Sequence, residues 1–149
     1  MKLIATIMLA VLPLAAQAAE TSTYGQRIVA SVLMGEARGE GEVGMTAVAE
    51  VIRNRAKEAG KSPLEIVCKR GEFSCLNGRT PESLYRKFYR MPTYQTALKI
   101  AKTCYNTPDM LGNKTRGATF YDQKRNRPPW IKDVTLVASI GNHNFYVPK

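Results

Sequence analysis

Apolar positions along this chain follow three spacings, each predicting a different element. Leu3 to Leu14 is an almost unbroken apolar run. From Tyr24 the spacing turns helical: Ile28, Val29, Val32 and Leu33 share one face, and Thr23-Tyr24-Gly25-Gln26 reads as a capping box opening that helix. The helix is expected to end near Gly35, where three glycines (Gly35, Gly39, Gly41) arrive within seven residues. Val43, Ala47, Val48, Val51, Ile52 and Ala56 predict a second amphipathic helix, stopped by Gly60. Its alanines let a neighbouring helix approach closely, which predicts a central place in the core. Ser62-Pro63-Leu64-Glu65 supplies an N-cap, an N1 proline and an N3 glutamate for a short helix ending near Cys68. Thr80-Pro81-Glu82 starts another, with Leu84, Tyr85 and Phe88 on one face. Pro92 breaks it, and Thr93 is expected to cap a further helix carrying Ala97, Leu98, Ala101 and Cys104 inward. Lys87, Arg90, Lys99 and Lys102 then fall on outward faces.

The last third alternates instead. Ala118-Thr119-Phe120-Tyr121 predicts a short strand, and Asp122 to Pro129 is a basic, polar loop leading through Pro128-Pro129 to Trp130. Val134 to Ile140 and His143 to Val147 are β-rich runs joined by a Gly141-Asn142 turn. Lys69 to Arg79 holds too many turn residues for regular structure. The fold class that results is α+β and mostly helical, one two-lobed domain with a small C-terminal antiparallel sheet against a helical body. A cleft between such lobes suits an extended ligand.

Composition changes this picture at three points. Lys2 before the apolar run and Ala16-Gln17-Ala18 behind it make a secretory signal peptide over residues 1–18, cleaved before Ala19. The run is short for a membrane span; the rival reading is an uncleaved export anchor that later leaves the membrane. Residues 19–149 suit one domain with one core. The chain carries 22 Lys and Arg against 12 Asp and Glu, a formal charge of +10, and losing Lys2 leaves 21 against 12, or +9. Such a surface is drawn to polyanions. Outside the cytoplasm these are wall polymers and anionic head groups, and the leader argues against nucleic acid. Of Cys68, Cys75 and Cys104, two are expected to pair in an oxidising compartment, Cys68–Cys75 before any pairing with Cys104. A single histidine with scattered thiols makes a poor zinc set, and no metal or other cofactor is expected.

Candidate chemistry converges on Leu33-Met34-Gly35-Glu36-Ala37-Arg38-Gly39-Glu40-Gly41. Glu36 falls where a helix stops and backbone can pass close to a ligand. Beside Met34 and Ala37 a carboxylate can be partly desolvated, and desolvation favours the protonated acid. A protonated acid is what a glycosidic leaving oxygen requires. The plainer reading has Glu36 and Glu40 as solvated helix residues with Arg38 nearby. Glu40, Glu42 and Glu72 are glycine-adjacent and expected to be exposed and ordinary, which leaves one acid. Trp130 offers a flat face to a sugar ring, or else packs between the lobes. Asn54 and Arg55 are within reach of the site, although caps or surface positions suit them better.

Three blocks, Gly35-Glu36-Ala37-Arg38-Gly39-Glu40, Gly71-Glu72-Phe73-Ser74-Cys75 and Gly141-Asn142-His143-Asn144-Phe145-Tyr146, together resemble the SleB/CwlJ family of cell-wall hydrolases, first described as cortex-lytic enzymes of bacterial spores. The blocks come in the family's order and span nearly all of the chain beyond the leader. The resemblance implies a lysozyme-like fold and peptidoglycan glycan strands as partner, cut at the β-1,4 bond between N-acetylmuramic acid and N-acetylglucosamine. It also implies a lytic transglycosylase reaction. Glu36 gives a proton to the leaving oxygen, the muramic C6 hydroxyl closes on C1, and Glu36 takes a proton back. The product is a 1,6-anhydromuramic end, and no water is consumed. In the resemblance the Lys69–Arg79 loop lines the cleft, with Phe73 as the family's aromatic and Ser74 and Asn77 beside it. Tyr121, His143 and Tyr146 would orient sugar groups or hydrogen-bond Glu36. Core packing remains the plainer reading of Phe73, and a satisfied structural histidine that of His143. Glu72 departs from the family's more frequent glutamine. The alternatives are a water-consuming muramidase and a non-catalytic, exported peptidoglycan-binding protein. The chain is expected to act as a monomer in the periplasm or outside the cell, with no nucleic-acid partner and no stable membrane insertion after leader cleavage.

Overall fold

The computed structural model describes residues 14–149, with side chains from Tyr24 onward, so most of the expected leader (residues 1–18) lies outside the described residues. The first helix, α1, spans Leu14–Ala37 and does not wait for the box at Thr23. Residues 15–19 are mostly alanine, the strongest helix former, and that propensity carries the helix upstream of the expected cap. At its other end α1 runs through Gly35 and stops at Ala37. A 3-10 turn at Arg38–Glu40 then leads into α2, Gly41–Ala59.

The second helix is the axis of the molecule. Met45, Val48, Ala49 and Ile52 face a large core with Ile28, Val32 and Leu33 of α1, while Ala47 and Val51 face a smaller cluster with Ala118 and Phe145. One helix thus carries two apolar stripes and joins a helical lobe to a sheet lobe. The helical lobe is completed by α3 (Pro63–Val67), α4 (Pro81–Phe88) and α5 (Tyr94–Asn106). Ser62 and Glu65 form the reciprocal capping box expected for α3, and the Thr80 side chain caps α4. Thr93 does not cap α5 with its side chain; the chain enters that helix through a turn in which Tyr94 N–H donates to the Met91 carbonyl. Lys87, Arg90, Lys99 and Lys102 are exposed, as their spacing predicts.

Three strands form an antiparallel sheet in the order β1 (Phe120–Gln123), β3 (His143–Pro148), β2 (Val134–Ile140). The β2–β3 hairpin turns at Gly141-Asn142 and shifts register between Leu136 and Ala138. The first strand starts two residues later than its alternation suggests. The carbonyls of Ala118 and Thr119 are occupied by Asn54 Nδ2 at 2.9 Å and Arg55 Nε at 2.7 Å. These two α2 side chains tie the sheet lobe to the helical body.

The expected disulfide is absent. All three cysteines are free: Cys68 is exposed just past α3, Cys75 is half-buried against Gly35 of α1, and Cys104 is buried under α2 with its thiol toward the Ala49 carbonyl. Among the described residues no helix is long and apolar enough to cross a membrane.

Candidate active site

Glu36 lies in the last turn of α1, the negative end of the helix dipole and a poor place for a carboxylate without outside donors. Three donors gather there from two lobes. Ser74 Oγ at 3.2 Å and the Cys75 N–H at 3.0 Å reach Oε1, and the Tyr121 hydroxyl at 3.0 Å reaches Oε2. The Ser74–Leu76 turn can come this close because of Gly35. A Cβ there would sit 2.6 Å from Cys75 Cβ, so glycine is needed for an approach rather than for a helix stop. Burial first, and then the Glu36 carboxylate, push the Tyr121 hydroxyl well above its ordinary range. Tyr121 therefore stays a neutral O–H donor at any working pH.

Glu36 borders two adjoining hollows. One, of about 370 Å³, is lined by Ser74, Asn77, Tyr121 and Trp130, with Arg55, Glu72 and Asp122. The other, of about 510 Å³, is lined by Gln123, Lys124, Arg125, Asn142 and Glu40. Glu36, Gln123 and His143 line both, so the hollows form one groove crossing the lobe boundary with Glu36 near its middle. Larger hollows lie elsewhere, including one beside Lys57 and Tyr105. None of those others is lined by Glu36.

The remaining carboxylates at the groove are held differently. Glu72 is paired with Arg55 at 3.0 Å and Lys69 at 2.7 Å. Asp122 accepts from the Gln123 N–H at 2.7 Å and from Asn126 Nδ2 at 2.6 Å. Glu40 is not the exposed, ordinary residue its glycine neighbours suggest. Its side chain is 12% exposed, facing His143 Nδ1 at 2.6 Å and accepting from the Asn142 N–H at 3.0 Å.

Of the residues singled out from sequence, Glu36, Ser74, Asn77, Tyr121, Trp130 and His143 meet at the groove. Trp130 does so while packing on Phe120 and Tyr146, with ring centroids 5.5 and 5.6 Å apart. Phe73 does not line the groove: it is 1% exposed, its ring in the helical core beneath the Arg55 guanidinium. Tyr146 is also buried and lines neither hollow; it backs Trp130. Arg55 was undervalued, since it bridges Glu72, Phe73 and the Thr119 carbonyl. Its sequence signal is a polar Arg53-Asn54-Arg55 run set between apolar Ile52 and Ala56. Among the described residues no three His, Cys, Asp or Glu side chains converge as a metal site.

A helical lobe and a small antiparallel sheet, meeting at a groove with a glutamate near its middle, define a lysozyme-like fold. The same fold is found in the crystal structure of the catalytic domain of the Bacillus cereus SleB protein, with a TM-score of 0.57 and 22% sequence identity. The match covers 83% of this chain and 90% of that one. The profile of the cell wall hydrolase family matches residues 39–146, more than two thirds of the chain. This chain belongs to that family, and its substrate is the peptidoglycan wall. No curated protein matches the chain. The matched segment includes Glu40, Trp130 and His143 but begins after Glu36, so a role for Glu36 rests on geometry.

Proposed function

We propose that the protein cuts the β-1,4 bond between N-acetylmuramic acid and N-acetylglucosamine as a lytic transglycosylase, with Glu36 as its single acid and base. The observation carrying this reading is the position of Glu36 at the shared border of two hollows, held by neutral donors alone. Every other groove carboxylate is engaged by a cation, by His143 or by donors of its own turn. A lone acid needs a substrate that supplies its own nucleophile, and the C6 hydroxyl of muramic acid does so. Glu36 protonates the leaving O4; as C6–O closes on C1, the carboxylate takes up the hydroxyl proton, restoring the acid. Ser74, Cys75 N–H and Tyr121 fix the carboxyl plane throughout. Trp130, Asn77, Ser74 and His143 line the path of the glycan strand.

Asp122 lines the same hollow and favours a second reading, a hydrolytic muramidase in which a further carboxylate activates water. Digesting purified sacculi and weighing the soluble muropeptides separates the two. Products one water lighter than hydrolysed ones support transglycosylation, and water-added products support hydrolysis. Binding without release would leave only a peptidoglycan-binding protein. The same proposal has residues 1–18 removed on export and the rest acting as a monomer at the wall. The mass of the exported chain, starting at Ala19 or at Met1, tests the first part, and sedimentation tests the second.

A further inference from the structure

Glu40 and His143 form a pair that the single-acid chemistry leaves unused. They lie 103 residues apart in sequence, one in the turn between α1 and α2 and the other at the start of β3, yet Nδ1 and Oε1 are 2.6 Å apart. Their side chains are 12% and 6% exposed, so the contact is held largely away from water. The second carboxylate oxygen is fixed by the Asn142 N–H at 3.0 Å. Room for this side chain is built into both lobes, since a Cβ on Gly44 or on Gly141 would collide with it. Gly141 also holds φ at +54°, where other residues are strained. His143 in turn packs edge-on against Tyr121, the donor to Glu36, at 5.4 Å between ring centroids, and lines both hollows.

A carboxylate on one imidazole nitrogen fixes both the ring plane and the site of its proton. With Nδ1 committed to Glu40, Nε2 is the nitrogen left for a ligand. We infer that Glu40 is a positioning residue: it holds His143 so that Nε2 hydrogen-bonds a sugar hydroxyl of the strand next to the bond Glu36 cleaves. While the ring is neutral, Nε2 accepts that hydroxyl's proton in a hydrogen bond and orients its oxygen. This role rests on the proposed reading of the groove, and it gives His143, there only part of the path's lining, a defined contact with the strand.

His143 is the sole histidine of the chain, so its ring nitrogens can be read individually by 15N NMR without assignment. At a pH where the ring is neutral, the wild type is expected to carry its proton on Nδ1. Glu40→Ala is expected to move it toward Nε2, the form free imidazole favours, and to lower kcat on solubilised peptidoglycan about 10- to 100-fold, the scale of a lost orienting partner. Apparent KM should stay within about twofold, because the many other groove contacts still bind the strand while its hydroxyl is no longer aligned for reaction. Glu40→Gln, which keeps an acceptor for Nδ1–H, should retain the wild-type tautomer and most of kcat. The double variant Glu40→Ala/His143→Ala should be no slower than His143→Ala alone, because Glu40 acts through the ring. A wild-type proton on Nε2, undiminished kcat in Glu40→Ala, a Glu40→Gln as slow as Glu40→Ala, or additive losses in the double variant would each overturn the inference. Glu36→Gln is assayed alongside. If it stays active the groove reading fails, whereas the tautomer still decides the Glu40–His143 pair.

Discussion

Two carboxylates in this protein look alike when their partners are counted and differ in everything else. Glu50, in the middle of α2, accepts from the Lys114 N–H at 3.1 Å, the Thr115 N–H at 2.8 Å and the Thr115 hydroxyl at 2.7 Å. Glu36 likewise has three donors, in its case one backbone N–H and two hydroxyls. Glu50 is 0% exposed, and all its donors come from one loop. Glu36 opens on a groove, and its donors come from both lobes. A set of three donors therefore does not by itself mark a catalytic group. In α2 it stitches a glycine-containing loop to a helix; at the end of α1 it holds a carboxylate still while leaving it open to the groove. Buried polar groups are satisfied for stability everywhere in proteins, and access to a ligand separates the two uses.

That contrast can be broken by exchange of one atom. Glu36→Gln keeps size and most hydrogen bonding, so the protein should fold with unchanged melting temperature. Its activity on sacculi should fall at least about a hundredfold, the scale of a lost general acid. Glu50→Gln should do the reverse. It sets an amide N–H against Lys114 or Thr115 donors in a dry site, costing about 2 kcal/mol of stability, read by urea unfolding. Activity per folded molecule should change little. If Glu50→Gln were the inactive and fully stable variant, the assignment would be the wrong way round.

Tyr121→Phe sharpens the comparison by removing one donor from Glu36 and leaving the ring stacked on Phe145 at 5.9 Å. A hydrogen bond to a charged group is worth about 1.5 kcal/mol, which predicts roughly a tenfold fall in kcat. Ser74→Ala removes the longer 3.2 Å bond from an exposed hydroxyl, and a fall of about threefold is expected, about 0.6 kcal/mol. Equal effects from the two variants would mean that the donors merely pack the turn.

The smallest effect lies away from both carboxylates. Burial pushes the Tyr94 hydroxyl up to about 12 from an ordinary 10.0. The folded chain then holds that proton more tightly than the unfolded one, so this hydroxyl's share of stability is full below pH 10 and declines as pH rises toward 12. Tyr94→Phe should lessen, without abolishing, the decline in melting temperature across that window, since Tyr24 and Tyr105 are also pushed up to about 12.

Local physics made much of this legible in the sequence. The capping box at Ser62, the proline starts of α3 and α4, the amphipathic pattern of α2 and the hairpin at Gly141 all act over a few residues. The end of α1 was harder to place, because Gly35 looks like a stop yet serves the approach of Cys75. Phe73 could be given a motif but not a depth, and depth decides that it packs in the core. The setting of Glu40 is hidden for a different reason: its partners lie about a hundred residues away on a turn that bends back across the lobe boundary. Glu50 gave no signal beyond being a charge on an apolar stripe. Contacts of that range depend on how elements dock, which no periodicity encodes.

The central claim is that the glycan strand runs across Glu36 from one hollow to the other. A crystal of Glu36→Gln soaked with a short chitooligosaccharide tests it most directly. The account predicts sugar rings in both hollows, one against Trp130, with a glycosidic oxygen about 3 Å from the residue-36 side chain. Sugar bound only in another hollow, such as the one beside Lys57 and Tyr105, would contradict it.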